Sequence, residues 1–146
     1  MKISAIHSVQ APPKELSVAL ASASVSAGFP SPAEGHIDAA LDLNELMVKR
    51  PAATFFVRVQ GDSMTGAGIC DGDLLVVDRS LKARHRDVVL AIVRGEFTVK
   101  RWLLKRGRSW LVAEQRGYPA IQVDETVEIW GVVTSAVHLL RPVRGI

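Results

Sequence analysis

A single cysteine, Cys70, leaves nothing to pair within the chain, so a disulfide framework is excluded and the fold must rest on buried apolar surface. Aromatic residues are scarce at 5%. Charge of one sign is scarce too: the formal net charge is +3, with 4 basic and 5 acidic residues in the first 50 positions and 14 and 10 in the remainder. Scattered cations with few rings to stack on bases do not make a nucleic-acid-binding signature, and no direct sequence-specific DNA binding is expected. The densest basic cluster, Lys100, Arg101, Lys105, Arg106 and Arg108, falls on and beside a predicted hairpin. It reads either as a solvated turn or as a contact surface for DNA or an acidic partner.

Long apolar runs are also missing. None reaches 18 residues, so no membrane-spanning helix is expected. Residues 16–27 have the faint look of a signal-peptide core, but serines interrupt it and Glu15 directly precedes it. Export is therefore not expected, and the chain reads as cytoplasmic.

What is present is a chain of 146 residues rich in Val, Leu and Ile, enough for one real core but not two. Residues 1–40 carry Pro12, Pro13, Pro30 and Pro32 and an Ala/Ser-rich middle, with no sustained apolar period of 3.6 or 2. Such a stretch does not repay its ordering entropy alone, and it is expected to be a flexible N-terminal arm. Its functional reading is a tether that delivers a peptide bond to a site. Ala27-Gly28 suits that use, being small on both sides and followed by Phe29 and a proline pair that favour extended backbone.

Residues 41–146 are expected to form a β domain. A short helix is predicted over 42–50, with Asp42 capping the first turn, Glu45 reaching back, an apolar stripe of Leu43, Leu46 and Met47, and Pro51 as its stop. Strands are predicted over 54–60, 74–78, 87–94, 96–104, 109–113 and 126–140, punctuated by glycines. Arg94-Gly95 and Arg106-Gly107 are placed to turn tight hairpins, and Gly131 to mark a bend or bulge. The spacing predicts a compact, curled, mostly antiparallel β domain.

Ser63 lies soon after a predicted strand, in a glycine-rich loop running from Gly61 to Asp71-Gly72-Asp73. Glycines permit the tight turn that presents a serine to a carbonyl, with backbone amides close by, at Ser63 and Met64, to hold an oxyanion. A loop serine bonding its own backbone fits equally well. The histidines offer no clear base: His7 and His36 lie in the arm, His85 in a polar turn, and His138 near the C-terminus as a base or as a strand or surface residue. Nothing around them matches a Ser, His, Asp arrangement. Period-2 counting puts Phe97, Val99, Arg101 and Leu103 on one face of a strand and Thr98, Lys100 and Trp102 on the other. In a partly buried groove Lys100 would lose its proton readily and serve as a base; on the surface it would snorkel to water. Periodicity leaves both readings open.

The segment from Phe56 to Leu104 resembles the catalytic domain of the LexA/UmuD family of self-cleaving serine peptidases (S24), and similarity to the UmuD-like translesion-polymerase accessory branch runs over nearly the whole chain. The matching pieces are Gly28-Phe29-Pro30-Ser31-Pro32, Leu41-Asp42-Leu43-Asn44, Gly61-Asp62-Ser63-Met64, Gly68-Ile69, the run from Asp71 to Asp78, Gly95-Glu96-Phe97-Thr98-Val99-Lys100, and Gly131-Val132-Val133. The resemblance implies a fold of the LexA/signal-peptidase type. It implies Ser63 as nucleophile, Lys100 as general base and Ala27-Gly28 as the scissile bond. It further implies stimulation by a RecA filament on single-stranded DNA, a homodimer after trimming, and a UmuC-like Y-family polymerase as partner. No cofactor or metal is expected. The 27 residues before the scissile bond are too few, and too rich in proline and serine, for the helix-turn-helix domain of the repressors. Two departures stand out: Ala27, typical of the repressors, replaces the cysteine of many accessory proteins, and Cys70 holds a loop position that is not normally catalytic. Other readings are a noncatalytic dimeric polymerase-binding regulator of the same fold, a repressor fragment, and a signal-peptidase-like enzyme, which should carry a membrane anchor.

Overall fold

The computed structural model describes residues 1–9, 17–21, 37–142 and 144. In chain order its strands are β1 (Lys2–Ser8), β2 (Ser17–Ala21), β3 (Ile37–Asp42), β4 (Thr54–Gln60), β5 (Leu74–Asp78), β6 (Val88–Val93), β7 (Glu96–Lys105), β8 (Arg108–Val112), β9 (Ile121–Gln122) and β10 (Val127–Val137), with one short helix, α1 (Leu43–Met47). The chain divides into two units, Met1–Val9 with Arg50–Ile146, and Gln10–Lys49.

The smaller unit holds the antiparallel pair β2–β3 followed by α1. Asp42 caps α1 as its sequence position suggests, its carboxylate accepting from the Asn44 and Glu45 amides at 2.8 and 3.3 Å. The helix ends at Met47, short of the predicted residue 50. Leu43 and Leu46 remain 59% and 52% exposed, so the apolar stripe read from the sequence is not a core stripe.

The larger unit is an eight-stranded sheet in the order β1-β4-β5-β10-β6-β7-β8-β9, with every pairing antiparallel. Two-residue turns connect β6 to β7 and β7 to β8. Arg94 and Gly95 (φ 50° and 79°) and Arg106 and Gly107 (φ 49° and 75°) are all left-handed, which matches the twist of the flanking strands. Both sheet faces are buried along β6: Leu90 joins a core with Val57, Val59, Met64, Leu75 and Val99, while Val89 and Ala91 join a second with Leu111 and Val132. That explains why β6 reads as an unbroken apolar run instead of an alternating one. Gly131 sits at a register break in β10, as expected, and an added Cβ there would lie 2.5 Å from Val77 Cγ1.

Residues 1–9 depart from the flexible arm expected over 1–40. β1 pairs with β4 along its length, and Met1 belongs to the first core with Ile3 and Ile6 packed against it. The division of the chain accordingly falls after residues 9 and 49, not at 40. The sheet curls until its first edge reaches β7, where the Val99 amide donates to the Met1 carbonyl at 3.3 Å. Among the described residues no helix is long and apolar enough to cross a membrane.

Candidate functional site

Curling of the sheet brings together two segments that are distant in sequence. Ser63 follows β4 in a loop that starts at Gly61, whose left-handed backbone (φ 106°) turns the chain off the strand. Lys100 lies within β7, opposite Val89 of β6. Both are buried, at 1% and 7% exposure.

Bonds made by backbone groups anchor the serine loop. The Gly61 amide donates to Asp71 Oδ1 at 2.7 Å. The Glu114 amide donates to the Ser63 carbonyl at 2.8 Å, and the Gly66 amide donates to the Glu114 carbonyl at 2.8 Å. Glu114 follows β8 and its carboxylate is ion-paired with Arg101, the residue after Lys100. The backbone of the serine loop and the side chain of Arg101, next to the lysine, are thus fastened to one residue. Gly66 has no room for a side chain, since a Cβ would lie 2.5 Å from the Glu114 carbonyl oxygen. Among the described residues, the amides of Ser63 and Met64 donate to no carbonyl.

Ser63 and Lys100 meet around the first residue. The Met1 amine donates to Ser63 Oγ at 2.6 Å, and no hydrogen bond joins Ser63 Oγ to Lys100 Nζ directly. Burial, then the neighbouring Lys100 charge, lower the pKa of that amine from 8.0 to about 6. Burial also lowers the pKa of Lys100 itself, because its ammonium has exchanged water for the protein interior. The Tyr118 ring centroid lies 5.0 Å from Lys100 Nζ, and its hydroxyl donates to Asp62 Oδ1 at 2.6 Å, which raises the phenol pKa. A cavity of about 320 Å³ opens beside Ser63, bordered by Met1, Gln60, Asp62 and Tyr118.

The other residues singled out from the sequence fall elsewhere. His138 sits against Asp73, Nδ1 to Oδ1 at 2.6 Å, and His85 Nδ1 accepts from the Leu104 amide at 2.9 Å. Cys70, Asp73 and His138 bring one candidate ligand atom each within 4.8 Å of one another. Both Asp73 oxygens are already engaged, by His138 and by the Cys70 amide, so the trio acts as a staple between the loop and the end of β10. Ala27 and Gly28 lie outside the described residues. Sequence reasoning missed Met1, Glu114 and Tyr118. Tyr118 had one available signal, as the only tyrosine in the chain; Met1 and Glu114 had none, because only the closed sheet brings them to Ser63.

Comparison with known proteins gives a family profile, Peptidase S24-like, matching residues 19–134. Protein MucA of Salmonella typhimurium is 52% identical over 113 residues, covering 75% of this chain and 77% of its own. Protein ImpA of the same species is 48% identical over 119 residues, covering 81% of each chain. The LexA repressor of Shewanella sediminis is 40% identical over 117 residues, which span 80% of this chain and 56% of the repressor.

Proposed function

The chain belongs to the Peptidase S24-like family, and from that membership we propose that it is a self-cleaving serine peptidase of the SOS response whose substrate is its own Ala27-Gly28 bond. The observation that supports this reading is the burial of both Ser63 and Lys100 around the Met1 amine, which bonds to Ser63 Oγ and feels the Lys100 charge, with the pKa of Lys100 lowered. Neutral Lys100 takes the proton of Ser63 as Oγ bonds to the Ala27 carbonyl carbon. The amides of Ser63 and Met64 receive the negative oxygen. As the carbon–nitrogen bond breaks, the lysine returns the proton to the Gly28 nitrogen, and water then hydrolyses the acyl-enzyme. Attack requires Ser63 Oγ to exchange the Met1 amine for Lys100 Nζ, so residue 1 must leave the site before the chain is cut. A RecA filament on single-stranded DNA promotes that exchange, and the trimmed chain, as a homodimer, serves a UmuC-like Y-family polymerase.

Intact-mass analysis of the purified chain incubated at neutral and alkaline pH tests the chemistry. Loss of the first 27 residues, abolished by Ser63→Ala and by Lys100→Ala, is the expected result; the same cut in either purified variant would refute the dyad. The Met1 contact to Ser63 favours one second reading, a noncatalytic polymerase-binding regulator with a capped serine. An uncut wild-type chain at every pH, with RecA filament present, is the outcome that selects it.

A further inference from the structure

The tip of the β7–β8 hairpin carries a face that neither core uses. Register pairs Lys105 with Arg108, Leu103 with Trp110, and Arg101 with Val112, so alternation puts these six side chains on one side of the sheet. Leu111 and Trp102 point the other way and pack in the second core, whereas Trp110 joins neither core. Beside this face lies an open hollow of about 710 Å³, lined by Lys105, Arg106, Arg108, Trp110, Val112 and Ala120. Three of the six lining residues are cationic and none is acidic. The acid closest along the strand, Glu114, is taken up by Arg101 at the inner end. An indole left outside the core on a cationic rim has a specific chemical use: the cations meet phosphates and the ring meets a base.

We propose that this hollow binds single-stranded nucleic acid without sequence preference, Trp110 stacking one unpaired base while Lys105, Arg106 and Arg108 neutralise the flanking phosphates. A paired duplex hides its base faces and leaves the ring nothing to stack on, and the hollow offers no array of side chains to read base edges. The composition of the whole chain concealed this feature, because one ring suffices when folding sets it among three cations. The proposal does not depend on Ser63 chemistry, so its test and the cleavage assay fail separately.

Fluorescence anisotropy of labelled dT20 titrated with the full chain provides the test. With three phosphate contacts, the slope of log K against log salt should be about −2. Trp110→Leu should weaken binding about fivefold or more without changing that slope, while Trp110→Phe recovers most of the loss. The pair Arg106→Asn and Arg108→Gln, at exposed positions, should reduce the slope by the charges removed. Thermal midpoints of all variants identify any that fail to fold. The proposal is overturned by absence of salt-dependent dT20 binding, by equal losses in the Phe and Leu variants, or by oligoglutamate binding as tightly as dT20 with Trp110→Leu inert, which would mark a surface for acidic proteins.

Discussion

Replacing Gly66 with alanine separates two opposed expectations by sign. Gly66 has no left-handed backbone angle, and alanine at such a site ordinarily stabilises by about 0.4–1 kcal/mol through the unfolded chain. The structure predicts the reverse. The new methyl would lie 2.5 Å from the Glu114 carbonyl oxygen and 3.3 Å from the Glu114 carbonyl carbon and Cβ, and backbone cannot swing aside as a flexible side chain does. Overpacking of this kind costs about 1–3 kcal/mol. Moving Glu114 away also lengthens its bonds to the Gly66 amide and the Ser63 carbonyl, at about 0.5–1.5 kcal/mol each. The expected loss is about 2–6 kcal/mol, which lowers a urea midpoint by about 1–3 M at a typical slope of about 2 kcal/mol/M. Gly68→Ala is the contrast: its φ of 78° imposes backbone strain, yet nothing lies within 4 Å of the added carbon, so about 1–2 kcal/mol is lost and the Ser63 loop keeps its ties. Self-cleavage at alkaline pH in the absence of urea should slow in Gly66→Ala beyond its slowing in Gly68→Ala. A midpoint for Gly66→Ala at or above wild type would refute the packing argument.

Three further outcomes follow from the same geometry. Because burial lowers the pKa of Lys100, the unfolded chain holds that proton more tightly; stability should climb as pH rises from the lowered value toward the ordinary lysine value of about 10.4, and self-cleavage should accelerate as pH rises through the lowered value and level off above it. Lys100→Met should erase both slopes, measured by thermal melts and by intact mass. The Met1 amine titrates at about 6 in the fold against 8.0 unperturbed, so it adds a rise in stability between those two pH values; thermal melts should show that rise vanish on N-terminal acetylation. Gly131→Ala meets Val77 Cγ1 at 2.5 Å and should destabilise by about 1–3 kcal/mol. In a double-mutant cycle with Val77→Ala the two losses should fall short of additivity, and strict additivity in urea melts would place the strain elsewhere.

The strands legible in the sequence are those with an uninterrupted period. Thr54–Gln60 and Leu74–Asp78 match the predicted bounds because β4 and β5 pair without a register break. β1 escaped notice for the opposite reason: a bulge between Ile3 and Ala5 shifts the alternation, so Ile3 and Ile6, three apart, both face the core. β9, with two residues, is too short to carry a pattern. At the candidate site, the sequence marks Ser63 and Lys100 only as residue types in suitable settings, and their proposed roles come from the motif resemblance. Tyr118 over the lysine and the Glu114 link depend on how far the sheet curls. No local rule in the chain encodes that curvature.

β1 belongs to the sheet through hydrogen bonds but to the chain through residues 9–50, a path that includes Ala27-Gly28. Cutting that bond would turn an intramolecular strand into a dissociable ligand. Effective concentration would no longer hold Met1, Ile3 and Ile6 in place, and dilution alone would favour their release. Their departure would bare the outer hydrogen-bonding row of β4 together with an apolar trench. A vacated position of that kind accepts an extended segment from another polypeptide by strand addition. The cut would then do more than shorten the chain: it would exchange a private strand for a public edge.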